Sequence, residues 1–263
     1  VNMKRRIWKL DFLRGFAIIM MIFDHLMYDF AILPSLFGNF YNVNNSIFNF
    51  LKDIGNDYWA SGLRFYGHFF FVSVFLIVSG ISYTFSKSNL SRGLKLLGVA
   101  LAITLVTIIL ENFMTNALIV FGIIHLYAVS ILIIYGLRKL IKNEMILLII
   151  SFVIIGVGFI FKFYDPEYLT SFSFTKLPSI ILGIDAFGAD YFGLFPYTGI
   201  ILLGTVLGNI FYSAKTSLVP SVKMSEKNIF LIAGRKSLLI FVTHQFILFA
   251  IIYLFGFIFG YRY

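Results

Sequence analysis

Apolar residues in this chain come in long unbroken runs, separated by short polar or basic stretches. Period-two alternation, the mark of membrane β-strands, does not organise these runs. Their length is helical, since ~20 apolar residues at ~1.5 Å rise span ~30 Å. Read this way, the pattern predicts seven membrane-spanning helices at about 10–31, 65–85, 94–113, 117–136, 144–163, 194–212 and 236–258. A further apolar stretch, Leu177–Ile184, holds Pro178 near its start and is too short to cross alone. It predicts an eighth, short or re-entrant, element at about 177–189. The expected fold is therefore all-α, a polytopic membrane helical bundle, with residues 1–263 as a single membrane-embedded domain.

The first run departs from a plain span. It carries Asp11, Arg14, Asp24, His25 and Asp29. At ~100° per residue, Arg14 and His25 differ by only ~20° around the axis, and Asp11 and Asp29 fall within ~40° of that line. Asp24 lies ~100° from His25, off the stripe. Charges facing lipid cost at least ~2.5–3.5 kcal/mol each, so the stripe should face the bundle interior or a water-filled cavity. The plain alternative is an interfacial Asp11–Arg14 ion pair with His25 as a satisfied core residue.

Composition agrees with a membrane protein: 60% of the 263 residues are hydrophobic, 13% are charged, and mean hydropathy is +0.93. There is no cysteine, which excludes disulfides and thiolate chemistry. The net charge of +9 raises nucleic acid as a partner. Its distribution argues against that. With the N-terminus inside, sixteen of the 21 Lys and Arg fall in inner segments, and every inner loop is basic, as topology signals are. The expected orientation is N-terminus in and C-terminus out, in the cell membrane. Lys4, Arg5 and Arg6 before an apolar run imitate a signal peptide. The run is longer than an h-region and no small-x-small site follows, so an uncleaved first span is expected.

Other chemistry lies between and within the runs. The segment 32–64 reads as a polar outer loop with Trp59 and several amides, suited either to a carbohydrate or to an ordinary membrane interface. Arg64 and His68 are i,i+4 neighbours at the start of the second span. Lys87 and Arg92 lie in a basic inner loop, where they set topology or hold phosphates. His125 sits about mid-membrane. Asp190 and Tyr191 precede the sixth span, where Asp190 would orient a histidine, bind an amino group or simply cap a helix. His244 and Gln245 lie about two turns into the last span, beyond Arg235 and Lys236.

Five strings carry a resemblance. They are Leu10-Asp11-Phe12-Leu13-Arg14-Gly15-Phe16-Ala17 with His25 eleven residues after Arg14, Ser79-Gly80-Ile81-Ser82, Gly122-Ile123-Ile124-His125-Leu126, Asp190-Tyr191-Phe192-Gly193-Leu194-Phe195-Pro196, and Gly234-Arg235-Lys236-Ser237-Leu238 ending in His244-Gln245. In this order they resemble the transmembrane acyltransferase superfamily, and in particular the small membrane proteins similar to the heparan-alpha-glucosaminide N-acetyltransferase catalytic domain. The chain is shorter than the longer members, whose extra outer-loop catalytic residues have no counterpart that can be placed here.

The resemblance implies an acetyl-CoA-dependent N- or O-acetyltransferase acting on a sugar or lipid-linked sugar, with membrane lipids around it and a homodimer by analogy. Under that reading His25 is the general base, Asp29 or Asp11 orients it, and His68 and His125 are the next choices. Arg14, Lys87, Arg92, Arg235, Lys236, His244 and Gln245 would serve the acyl-CoA, and Arg64, Trp59, Asp190 and Tyr191 the acceptor. No metal is expected. The rival readings are a transporter or channel for protons or a small polar solute, since charged lines serve there too, and a catalytically silent scaffold. The absence of a convincing internal repeat counts against a transporter.

Overall fold

The computed structural model describes residues 7–112, 117–163, 167–213 and 224–262, with the side chains of Lys162 and Phe163 left aside. Lys4, Arg5 and Arg6, weighed above as charges, lie outside the described residues. Among the described residues the chain is helical with two isolated β-bridges. It forms two compact units, one from residues 1–75 and 219–263 and the other from residues 76–218.

The first unit is built on α1 (Trp8–Ala31). Against α1 pack α4 (Ser46–Ala60), α11 (Ile229–Arg235) and α12 (Ser237–Ile258). Its crossing with α11 is backbone on backbone. A Cβ on Gly15 would stand 1.8 Å from the Phe230 carbonyl oxygen, and one on Gly234 1.8 Å from that of Asp11. Small residues allow this approach in membrane bundles. The segment expected as a polar loop is mostly helical: α2 (Leu33–Leu36), α3 (Phe40–Val43) and α4. Asn45 starts α4 by accepting from the Ile47 and Phe48 N–H groups at 2.9 and 3.4 Å. The amides that suggested a loop thus include a helix cap. Tyr261 is fully buried among Phe37, Phe40 and Phe48, with ring centroids 5.2, 5.4 and 4.4 Å away. That cluster ties the end of the chain to this segment.

The helix α5 (Gly62–Tyr83) carries the chain from the first unit into the second. The second unit continues with α6 (Asn89–Leu110), α7 (Ile123–Leu140), α8 (Glu144–Phe163), α9 (Leu177–Leu182) and α10 (Tyr197–Phe211). The pairs α6–α7 and α8–α10 make its main contacts. Gly80 and Gly204 let α5 and α10 touch: a Cβ on either meets the other helix's backbone oxygen at 2.2 or 2.3 Å. Arg138 holds three helices at one end. It pairs with both Glu144 oxygens at 2.8 and 3.0 Å, and its Nη2 donates to Thr205 Oγ1 at 2.8 Å. The short element expected at 177–189 is α9 with a 3₁₀ turn before it, Phe174–Lys176.

Five of these helices are long and apolar enough to cross a membrane: α5, α6, α7, α8 over Glu144–Phe161, and α12. Isoleucine, leucine and phenylalanine on α8 and α12 stay exposed, Ile149, Phe152, Leu254 and Phe255 among them, as lipid-facing side chains do. The expected seven spans added two others. One, α10, is apolar but has 15 residues, ~22 Å of helix. The other, α1, is long enough at 24 residues but carries the charged stripe.

Candidate active site

The charges of α1 are paired at its start. Arg14 donates to Asp11 at 3.4 Å and to the Gly234 carbonyl at 3.5 Å. Arg235, delivered by α11, has its Nε 3.7 Å from Asp11 and also pairs with Glu226. Glu226, burial aside, and then Asp11 hold the Arg235 guanidinium above its ordinary value. Asp11 thus serves two guanidinium groups, and Arg14 closes the glycine crossing. Lys236 stands at the junction of α11 and α12.

Three to four turns further along, α1 meets α12. The rings of His25 and His244 lie 4.9 Å apart, tilted by 61°. His244 Nδ1 is 2.6 Å from the Phe241 carbonyl oxygen. Only an N–H can make that bond, so the neutral ring carries its proton on Nδ1. The lone pair is then on Nε2, which is buried and has no hydrogen-bond partner among the described residues. One turn beyond His25, buried Asp29 accepts from Gln245 Nε2 at 2.8 and 3.0 Å. The expected orienting carboxylates are therefore occupied elsewhere: Asp29 by Gln245, and Asp11 by the two arginines.

Asp24, off the stripe and given no role by the sequence, organises the other side of α1. It is buried, accepts from the Tyr58 hydroxyl at 2.9 Å, and lies 3.3 Å from Arg64 Nε. Burial, and then Asp24, push the Tyr58 hydroxyl up to about 12. The Arg64 guanidinium lies 3.7 Å from the centre of the Trp59 ring, a cation–π contact. Asp24, Tyr58 and His68 line a cavity of about 10 Å³, with Met20, Met21 and Phe71. That is room for about one water. His25 has His244, Asp24, His68 and Arg64 as its electrostatic neighbours. The signal for Asp24 was its adjacency to His25. Its partners return from 34 and 40 residues away, beyond the reach of helical periodicity.

The remaining sequence-predicted residues belong to the second unit. His125 has both nitrogens engaged. Nδ1 accepts from the Gly122 N–H at 3.3 Å, which leaves the proton on Nε2, 3.0 Å from Thr104 Oγ1. That hydroxyl donates its own hydrogen bond to the Ile119 carbonyl at 2.9 Å. His125 is thus part of the cap of α7. Asp190 completes the cap, accepting from the Ile123 N–H at 3.2 Å. It caps a helix, as one reading expected, but α7 rather than the span that follows it. Burial pushes its carboxyl up to about 7. The Tyr191 hydroxyl donates to the Ile180 carbonyl at 2.7 Å, and burial raises it also. Arg92 bonds the Tyr127 hydroxyl. Lys87 lines a larger cavity in the second unit. Among the described residues no group of three or more His, Cys, Asp or Glu is arranged to hold a metal.

A family model matches residues 6–246, and its description is "Heparan-alpha-glucosaminide N-acetyltransferase, catalytic". No curated protein and no solved structure matches the chain.

Proposed function

The chain belongs to the heparan-alpha-glucosaminide N-acetyltransferase catalytic family, and from that premise we propose that it is a multi-pass membrane enzyme moving an acetyl group from a cytoplasmic acyl-CoA to an extracytoplasmic or lipid-linked sugar or amino sugar. The observation that carries the chemistry is the contact between His25 and His244, 219 positions apart in the chain, with Nε2 of His244 buried and unpartnered. A buried lone pair lacks a proton donor, and an attacking amine or hydroxyl brings one. Histidine suits this task, its ordinary pKa of ~6.5 lying near working pH.

The bound donor supplies an activated thioester carbonyl. The chain's part is to position and deprotonate the acceptor. The His25–His244 pair takes the proton of the sugar amine or hydroxyl as that nitrogen or oxygen bonds to the acyl carbon. The carbon–sulfur bond then breaks, and the thiolate leaves with a proton returned by the pair. Gln245 on Asp29 fixes α12 against α1, so both rings keep their places. Arg64 on Trp59, both on the Asp24 side of α1, offers a flat cationic surface for a sugar. The orientation in this reading, N-terminus in, rests on the basic inner loops.

The test uses protein in lipid nanodiscs, labelled acetyl-CoA and a panel of sugars and amino sugars. Label should reach one acceptor class in wild-type protein and fall at least ~10²-fold in His25→Ala, the usual size of a lost acid–base group. Transfer at wild-type rate in that variant would remove His25 from its role. Donor-independent solute flux without transfer would favour the transporter reading.

A further inference from the structure

Within the first unit, α4 lies level with the stretch of α12 from His244 onward. At the start of α4 the Phe48 ring stands 5.7 Å from Phe259, just past the end of α12. There, too, the Asn45 N–H donates to the Tyr261 hydroxyl at 3.2 Å. At the other end of α4 Tyr58 bonds Asp24, whose neighbour His25 lies against His244. The 15 residues of α4 make ~22 Å of helix, about the rise from His244 to the end of α12. Between these ends α4 lies against α1: a Cβ on Gly55 would stand 2.5 Å from the Ala31 nitrogen. The helix α12 has the length and composition to cross a membrane, and its Ile251, Leu254 and Phe255 stay exposed. Where these side chains meet lipid, α4 stands at lipid depth.

The surface of α4 is divided into three. Phe48 and Gly55 are buried. Ile47, Phe50 and Ile54 are exposed at 52%, 62% and 38%, and at ~100° per residue they share an arc of ~60°. Asn49, Asp53, Asn56 and Asp57 fall on the remaining side, within ~100° of one another. Asp53, Asn56 and Asp57 are exposed, and Asp53 has the Lys52 ammonium 3.1 Å away. Ionisable groups at membrane depth face a water-filled space or the bundle interior, not lipid. Exposed apolar residues in line mark contact with lipid or a partner rather than with water. One helix, at one depth, thus needs acyl chains on one side and water on another.

We infer that α4 is set into the membrane beside α12, with Ile47, Phe50 and Ile54 against the acyl chains of bilayer lipid and with Asp53, Asn56 and Asp57 lining a water-filled vestibule. Lipid is the occupant of the apolar stripe because the stripe lies level with the exposed apolar surface of α12. The vestibule opens on the side where α12 ends. It brings water down to Asp57, whose chain neighbour Tyr58 bonds Asp24. A segment that composition marks as an outer loop then belongs to the membrane-embedded part. The placement rests on α12 crossing the membrane, and it holds whichever residues transfer an acyl group.

The chain has no cysteine, so single cysteines can carry a nitroxide label without background. Ile47→Cys, Ile54→Cys, Asp53→Cys and Asn56→Cys are labelled one at a time in the whole protein in lipid nanodiscs, with Leu254→Cys on α12 as the lipid reference. All five positions are exposed, and size exclusion establishes folding. Phe50→Cys replaces either isoleucine variant, and Asp57→Cys either polar one, should it fail to fold. Power saturation reads each site with oxygen, which concentrates in lipid, and with a neutral nickel chelate, which stays in water. Labels at positions 47 and 54 should match position 254, with oxygen acting more strongly than nickel, and the order should invert at positions 53 and 56. Nickel ahead at all four α4 positions would put the whole helix in bulk water and overturn the inference. Oxygen ahead at all four would remove the vestibule and overturn it as well. Low access for both reagents at positions 47 and 54 would assign the stripe to a second copy of the chain instead of lipid. Nickel ahead at position 254 would remove the membrane depth on which the placement stands.

Discussion

Histidines in the two units live differently. In the second unit His125 has both ring nitrogens bonded, one to a backbone N–H and one to Thr104, and its work is to begin a helix. In the first, His244 spends one nitrogen on the Phe241 carbonyl and keeps the other buried and unpaired beside His25. Both stand within apolar runs, where the sequence reading made His125 a further choice of base and His244 a residue serving the acyl-CoA. The difference lies in what folds around them. A ring with every nitrogen satisfied has nothing left for a substrate, whereas an open lone pair in a dry site is costly unless something uses it.

This contrast is broken or sharpened by substitution. The largest effect should come from His244→Ala: transfer falls at least ~10²-fold while the folded fraction by size exclusion stays near wild type. His125→Ala should do the reverse, lowering the midpoint of thermal unfolding through an unmet cap while activity per folded molecule holds. Equal loss of activity in both would erase the distinction. Next in size is Gly15→Ala, whose methyl would overlap the Phe230 carbonyl at 1.8 Å. Overpacking costs ~1–3 kcal/mol, read as a lower unfolding midpoint, and here it also pushes α11 off α1. Tyr58→Phe removes one bond to Asp24 and should cost ~0.5–1.5 kcal/mol. The last test concerns Asp190. Burial keeps its native carboxyl protonated up to about 7, against 3.8 when unfolded. The unfolded chain therefore loses this proton first as pH rises, and stability falls across that window and is flat below it. Asp190→Asn should flatten the profile between those pH values, measured by thermal unfolding at each pH.

The sequence showed the elements more clearly than their contacts. Among the described residues apolar runs marked every helix of 18 residues or more, and the 100° spacing put Arg14 and His25 on one face of α1. The motif ending in His244-Gln245 was legible as a string, but not that Gln245 would hold Asp29, 216 positions away. Asp24 was passed over because the helical stripe measures one face only, and Asp24 serves another, toward Tyr58 and Arg64. The segment 32–64 read as a loop because its amides and glycine mask an amphipathic helix that buries Phe48 and Gly55. Asp190 read as a group that orients a histidine, binds an amino group or caps a helix. Its true partner, Ile123, comes 67 residues earlier, and no local rule finds it.

The helices α1 and α12 meet at one histidine pair, and the proposed function has that pair act as a unit. A double-mutant cycle on acetyl transfer, with His25→Gln, His244→Gln and both together in the same nanodiscs, tests this most directly. Groups acting together are strongly non-additive, so the double variant should be no slower than the slower single one. Losses that multiply, or a single variant that transfers at the wild-type rate, would contradict it.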